Sequence, residues 1–532
     1  MKENDTERIR ECRAHLAEVV IYRNIRKDEI VKQYSRLLHL WMDPHAADPE
    51  WEDCFHQIFS MLIERYAAKE EIVGDLWKNH IIHLLLEDEN VFSLSCEKGQ
   101  YGDLPEGLLK IAKNDLQHIQ SLFRLDGSAL REMLQTKMFP AGATAGASPG
   151  NLPSWEIRPF RKVPSDSENA SGSTPANTPV RISGSVSGGI FDAASGGTVN
   201  TTERTFDTAS GMSVNAIERT FDTDSDKTGN TSGRTGNTSA FSDIYDVLYA
   251  SEDWSEEIEP LAAYYSQSGC GIFNQYRAFR WNRDKAPGYL TGVESPDPIR
   301  LSQLIGYERE RSVVIGNTLQ FLQGLPSNNI LLYGDRGTGK SAAVKAILNE
   351  YTDRKLRLIE VSKYHLSDLP YIMETLRNRG MKFILFIDDL SFESDETSYR
   401  ELKSILEGGI EARPRNIVIY ATSNRRHLIR EYFSERSTAD EVGSQDTLQE
   451  KLSLSDRFGI TVTFSLPDKE GYLQIAEGLA KQRGLSVNPQ ELREKAWKWE
   501  MRYNGRSPRT ARQFIDHLEG ELQLKNTGCS PS

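Results

Sequence analysis

Apolar residues recur at helical spacing through the first part of the chain, as in Ile9, Cys12, Leu16, Val19 and Val20, then Ile30, Tyr34, Leu37 and Leu38, with charged residues between them. The pattern predicts an α-helical N-terminal domain over 1–138. Its aromatic and leucine positions, Trp41, Trp51, Phe55, Phe59, Trp77 and Leu84 to Leu86, fit a core, and no catalytic constellation accompanies them. From 139 to 240 the periodicity gives way to Gly, Ser, Thr, Asn and Ala. Such a segment buries too little apolar surface to offset its ordering entropy, so a low-complexity disordered linker is predicted. Within it Glu203-Arg204-Thr205-Phe206-Asp207-Thr208 recurs as Glu218-Arg219-Thr220-Phe221-Asp222-Thr223; two copies are too few for a solenoid. Ile244, Val247, Leu248, Tyr249, Tyr264 and Tyr265 restore apolar content, and 241–298 is expected to bridge to the second half of the chain and pack on it.

Beyond Pro296-Asp297-Pro298 the pattern becomes one of short continuous apolar runs at 330–333, 356–361, 383–387, 417–420 and 460–464, separated by helical stretches. This alternation predicts an α/β domain with a parallel sheet over 299–466. A helix over 367–377 would have Ser367 as its N-cap and Pro370 in its first turn. Helical patterns at 471–483, 490–501 and 509–522 predict a small helical lid over 467–524, with a disordered tail at 525–532.

Composition changes this picture little. In 532 residues, a net charge of −13 argues against a protein that coats nucleic acid through a bulk basic field. The cysteines, Cys12, Cys54, Cys96, Cys270 and Cys529, show no metal-ligand spacing, which favours a reducing compartment. The charged start and the lack of a long apolar run give the expectation of a cytoplasmic protein with no membrane partner.

The chemistry lies in the second half. Gly334-Asp335-Arg336-Gly337-Thr338-Gly339-Lys340-Ser341 is G-x-x-x-x-G-K-S placed between an apolar strand and a helix that begins with Ala342, Ala343 and Val344. This is a Walker A loop: its glycines let successive N–H groups turn inward to phosphates, with the positive end of the helix behind them. Lys340 supplies a charge for the β/γ-phosphates and Ser341 a hydroxyl for Mg2+. The run 383–387 ends in Asp388-Asp389 as a Walker B strand does; Asp388 is the second Mg2+ residue, and Asp389 is placed to orient or deprotonate water. Glu393 is the alternative carboxylate if the strand ends early. Asn424, at the tip of another strand, could hold the water or sense the γ-phosphate. Arg457, just before a sheet-edge strand, could reach a neighbouring subunit's γ-phosphate. Arg425-Arg426-His427 reads most simply as charge near phosphates and a helix cap.

The order of these segments, closed by Ser455-Asp456-Arg457-Phe458-Gly459 and a lid with Arg509, resembles the AAA+ ATPases. From about 245 to 520 the chain looks like an uncharacterised bacterial AAA+ family, domain of unknown function 815. The resemblance implies a five-stranded αβα sandwich with a lid, an ATP site at a subunit boundary, Mg2+ as cofactor and a homo-oligomer. It implies that Ile305-Gly306-Tyr307 packs on adenine, that Asn424 is sensor 1, that Arg457 is the arginine finger and that Arg509 is sensor 2, with Arg512 as rival. Many AAA+ proteins have Glu where this chain has Asp389, which makes slow turnover plausible. The expected function is ATP hydrolysis that remodels or loads a protein or nucleic-acid client, with the helical domain as adaptor on a flexible tether. The alternatives are a slow nucleotide-gated switch that recruits a partner, or a DNA-associated loader.

Overall fold

The computed structural model describes residues 3–43, 48–66, 74–138, 152–158, 238–391, 402–406, 413–424, 457–503 and 505–526. The helical part comprises α1 (Glu3–Glu18), α2 (Glu29–Met42), α3 (Asp48–Tyr66), α4 (Leu76–Glu87), α5 (Val91–Glu97), α6 (Glu106–Arg124) and α7 (Gly127–Met138). Helix α2 starts where the Asp28 side chain accepts the N–H groups of Ile30 and Val31, two donors that no helical carbonyl serves. It buries Ile30, Tyr34, Leu37 and Trp41, a stripe at the helical repeat. Asp115 of α6 is fully buried and accepts the N–H groups of Val20, Ile21 and Tyr22, which fixes the turn after α1.

Two parts of the chain depart from expectation. Inside the predicted linker, Leu152 and Trp155 are buried, and β2 (Glu156–Arg158) pairs antiparallel with β1 (Gly74–Asp75). One tryptophan supplies enough apolar area to anchor a strand that the average composition around it conceals. The predicted bridge is also divided between two cores. Helices α8 (Thr238–Ala250) and α9 (Ile258–Ser268), with the turn between them, bury Ile244, Leu248, Trp254, Leu261 and Tyr265 in the same core as α1–α7. The rest, α10 (Ile272–Gln275), β3 (Ala278–Asn282) and β4 (Tyr289–Gly292), joins the sheet. The chain thus leaves the helical body after β2 and re-enters it at α8, so the segment between them does not tether that body to the remainder. The other linker residues, with the Thr-Phe-Asp-Thr repeats, lie outside the described residues.

The sheet runs β4-β3-β6-β7-β8-β5-β9, with β5 (Ile330–Gly334), β6 (Leu356–Glu360), β7 (Lys382–Ile387), β8 (Ile417–Ser423) and β9 (Ile460–Phe464) all parallel. Five parallel strands were expected; β3 adds a sixth, parallel to β6, and β4 an antiparallel seventh. Helices α11 (Glu308–Leu322) and α12 (Lys340–Tyr351) cover one face, where Val314, Phe321, Ile330, Leu332, Val344 and Ile347 pack together. Helix α13 (Leu369–Arg377) covers the other, with Leu331, Ile359, Ile372 and Leu385. Burial on both faces explains why these strands read as continuous apolar runs. Helix α13 begins two residues later than predicted: a 3-10 turn at Lys363–Asp368 precedes it, and Ser362 rather than Ser367 supplies the capping side chain, to that turn. The fold is α/β, a mostly parallel sheet between helical layers, followed by α14 (Lys469–Gln482), α15 (Pro489–Arg502) and α16 (Pro508–Asn526), which enclose a small core around Leu473, Ala496 and Ile515.

The helical body and the sheet meet through buried polar groups. Glu97, at the end of α5, has no exposed surface and accepts from Arg379 Nε at 3.1 Å and Nη2 at 2.9 Å, from Gly380 N at 2.8 Å and from Cys270 N at 3.1 Å. Arg357 of β6 is buried too, and donates to the carbonyls of Ser268 and Phe273.

Candidate functional site

Strand β5 ends at Gly334, whose φ of +137° only glycine adopts readily and where a Cβ would stand 2.0 Å from the Phe464 carbonyl oxygen. Asp335 N donates to that same oxygen at 3.1 Å, and Asp335 Oδ2 accepts from Leu466 N at 3.0 Å, so β9 holds the base of the loop. The Thr338 hydroxyl donates to the Asp335 carbonyl at 2.9 Å, closing the loop on itself. Lys340 turns back under it: Nζ donates to the carbonyls of Gly334 at 2.9 Å and Asp335 at 2.7 Å, and to Asn424 Oδ1 at 3.2 Å. Burial pushes the ammonium's pKa below the usual lysine value, against the pull of Asp335, Asp388 and Asp389.

Opposite the loop stand the ends of β7 and β8. Ser341 Oγ donates to Asp388 Oδ1 at 2.7 Å, and Thr422 Oγ1 donates to the same oxygen at 2.5 Å. Asp389 follows with φ +53°, a left-handed conformation that Asp tolerates better than most residues. Asn424 Nδ2 donates to Asp389 Oδ1 at 2.6 Å, so the one amide contacts both Asp389 and Lys340. The cleft so formed is lined by Lys340, Ser341, Asp388, Asp389 and Asn424 at the carboxyl ends of the parallel strands, and Arg336, Gly337, Gly339 and Ala342 complete its loop side. It sits beside β5, from which the chain passes to β6 on one side and which β9 flanks on the other, the place where open α/β sheets bind ligands. A hydroxyl and exposed carboxylates form a hard oxygen set suited to Mg2+, with Ser341 and Asp388 as its nearest candidates.

Ile305, Gly306 and Tyr307 line a second recess, together with Thr338, Ile475 and Leu479, that shares Leu304, Gly339 and Pro508 with the cleft. Tyr307 is left-handed, at φ +59°; its ring lies 5.3 Å from that of Phe464, and its hydroxyl donates to the Ser465 carbonyl at 2.6 Å. Burial pushes that phenol up to about 12. Helix α16 docks on the loop: Arg509 N donates to the Gly337 carbonyl at 3.1 Å, and a Cβ on Gly337 would lie 3.0 Å from Ser507 Oγ. Arg509 and Arg512 both face the cleft, and Arg512 also reaches the recess.

Arg457 does not join this cluster. It precedes β9, whose Ile460 pairs with Ile330 at the start of β5, whereas the glycine loop follows the other end of β5. Glu393, Arg425, Arg426, His427, Ser455 and Asp456 lie outside the described residues. Thr422 was missed in the sequence; its signal was its position two residues before Asn424, on a strand that runs to Ser423 rather than stopping at Tyr420.

The sheet order, the glycine loop at its carboxyl edge and the helical C-terminal unit define an AAA+ P-loop fold. Residues 274–522 match the model of a family described as "Protein of unknown function (DUF815)", and this part of the chain resembles that family. Among solved structures, Thermotoga maritima RuvB, described as a Holliday junction branch migration motor, is 17% identical over 43% of this chain and 67% of its own, with a TM-score of 0.31. A single-substitution variant of it is 18% identical at the same coverage and TM-score. No curated protein matches the chain. Among the described residues no helix is long and apolar enough to cross a membrane.

Proposed function

We propose that the chain is an AAA+ ATPase that binds and hydrolyses ATP with Mg2+ and acts as an oligomer on a macromolecular client. The observation that carries this reading is the convergence of Lys340, Ser341, Asp388, Asp389 and Asn424 on one glycine loop. Loop N–H groups and the start of α12 receive the phosphates, and Lys340 exchanges its carbonyl contacts for phosphate oxygens. Ser341 and Asp388 would hold Mg2+, which would offset charge on the phosphate oxygens. Asp389, released from the Asn424 amide, orients the attacking water and takes its proton, while Asn424 marks the γ-phosphate position. Ile305, Gly306 and Tyr307 receive the base, and Arg509 or Arg512 brings the lid onto the phosphates.

The oligomer is supported by the placement of Arg457 at the end of the sheet away from its own cleft, where it would serve a neighbouring subunit's. The test is the hydrolysis rate per subunit against protein concentration, with Lys340→Ala and Arg457→Ala beside the natural chain. A rate that rises cooperatively and collapses in both variants is expected. Absence of ATP binding overturns the proposal. A low, concentration-independent rate that survives Arg457→Ala supports the second reading, a slow nucleotide-gated switch. That reading is favoured by the short Asp389 carboxylate, tied to Asn424 at 2.6 Å.

A further inference from the structure

We infer that Thr422 is the positioning residue of the cleft, and that its single hydroxyl sets both the carboxylate of Asp388 and the turn that presents Asp389. The inference rests on the nucleotide-site reading above. Thr422 lies in β8 one step beyond the Ile387–Ala421 pair, which brings it beside Asp388 as β7 ends. It is 2% exposed, so bulk water does not satisfy its hydroxyl. That hydroxyl donates to Asp388 Oδ1 at 2.5 Å and accepts the Asp389 N–H at 3.0 Å, and the Thr422 carbonyl accepts Leu390 N at 2.7 Å. Three consecutive residues are therefore tied to one.

The consequences differ for the two carboxylates. Both hydroxyl donors on Asp388, from Ser341 and Thr422, bind Oδ1, and among the described residues none binds Oδ2. Oδ2 is thereby left for a cation or its water. At Asp389 the accepted N–H helps to hold a backbone at φ +53°, a left-handed conformation that Asp tolerates better than most residues but still at some cost. Without this bond the chain after Ile387 is free to relax towards an extended conformation, which takes the Asp389 carboxylate out of the cleft. Serine retains the donor and the acceptor; valine retains the shape of threonine and has neither.

The test uses the full chain with Thr422→Val and Thr422→Ser. Three quantities are measured: binding of a fluorescent ADP in EDTA, the Mg2+ concentration that half-saturates ATP hydrolysis, and kcat. For Thr422→Val, metal-free ADP binding is expected to match the natural chain. Its kcat is expected to fall, and its Mg2+ requirement to rise, on the order of 10- to 100-fold, as for other residues that orient metal ligands. Thr422→Ser is expected to restore most of both. A Thr422→Val protein with natural kcat and Mg2+ dependence overturns the inference, and so does a serine variant as impaired as the valine one. Should the natural chain bind ADP but hydrolyse no ATP, the ATPase reading fails alone. The Mg2+ dependence of ADP affinity in the two variants then decides the role of Thr422 in the same way. If the natural chain binds no nucleotide, both fall.

Discussion

At Gly334 a single hydrogen atom in place of a side chain lets β5 turn into the loop while β9 closes against it. Alanine there meets two penalties: a φ of +137°, costly to any residue with a Cβ, and an oxygen of β9 2.0 Å from that Cβ. Backbone strain of this kind costs about 1–3 kcal/mol, and the collision adds to it by prising β9 from β5. Gly334→Ala should therefore lower the thermal unfolding midpoint and weaken nucleotide binding together. Lys340→Ala, which removes hydrogen bonds to the loop and to the last residue of β5 but leaves the pairing between strands intact, should weaken binding far more than it lowers the midpoint; parallel melting and binding curves would separate them. Residues of this kind were legible because the chemistry fixes both their type and their spacing: a phosphate loop needs Gly, Lys and a hydroxyl at set intervals. Thr422 was not, since a threonine in a strand is an ordinary β-former and only its register against Asp388 gives it a role.

Elements divide along similar lines. The C-terminal helices α14 to α16 were legible to within a few residues, because each carries an apolar stripe and starts at a recognisable cap, as where Asp468 accepts Gly471 N before α14. The short strands β1 to β4 were not, because two to five residues give no period to count and β2 sits in Gly- and Ser-rich sequence. The β1–β2 pair also carries a pH dependence. Asp75 of β1 caps α4 by accepting Trp77 N at 2.9 Å and Lys78 N at 3.1 Å, and it accepts Gly127 N at 3.2 Å. Burial, with the charge of Asp126 nearby, pushes its carboxyl from 3.8 up to about 6. The folded state therefore holds this proton over a range in which the unfolded chain has released it, so stability falls as pH rises from about 4 through about 6. The full effect is roughly 3 kcal/mol. Asp75→Asn keeps a capping oxygen and cannot titrate; urea midpoints at pH 4.5, 5.5 and 6.5 should fall less for it than for the natural chain. Equal slopes would remove Asp75 from the account.

On the scale of the whole molecule the sequence misled most, because the groups that join the helical body to the sheet are far apart in the chain and individually ordinary. Glu97 and Arg379 are separated by 282 residues. Neither was singled out in the sequence, and the Gly-, Ser- and Thr-rich segment 139–240 gave the expectation of a helical adaptor on a flexible tether. Instead Glu97 is enclosed, and its hydrogen bonds come from Arg379, Gly380 and Cys270, residues at the amino end of β7 and after α9. Strand β7 leads from this junction directly to Asp388 and Asp389, so the helical body is attached to the strand that carries the carboxylates. The two halves of the junction are unequal. Arg379 also pairs with the half-exposed Glu89 at 2.8 Å, and keeps a partner if Glu97 loses its charge. Glu97 has no second cation within ion-pair distance among the described residues, and without Arg379 it is a buried carboxylate held by neutral donors. Removing one partner of a buried pair costs about 3–5 kcal/mol when the remaining charge is uncompensated. Arg379→Ala should therefore destabilise the protein by about that much, and Glu97→Gln by clearly less, as read from chemical unfolding followed by tryptophan fluorescence. Hydrogen exchange at the amides of Cys270 and Gly380 should rise in Arg379→Ala before any global unfolding. If both variants unfold with the natural chain and exchange stays slow, the attachment rests on the surrounding apolar packing and not on this pair.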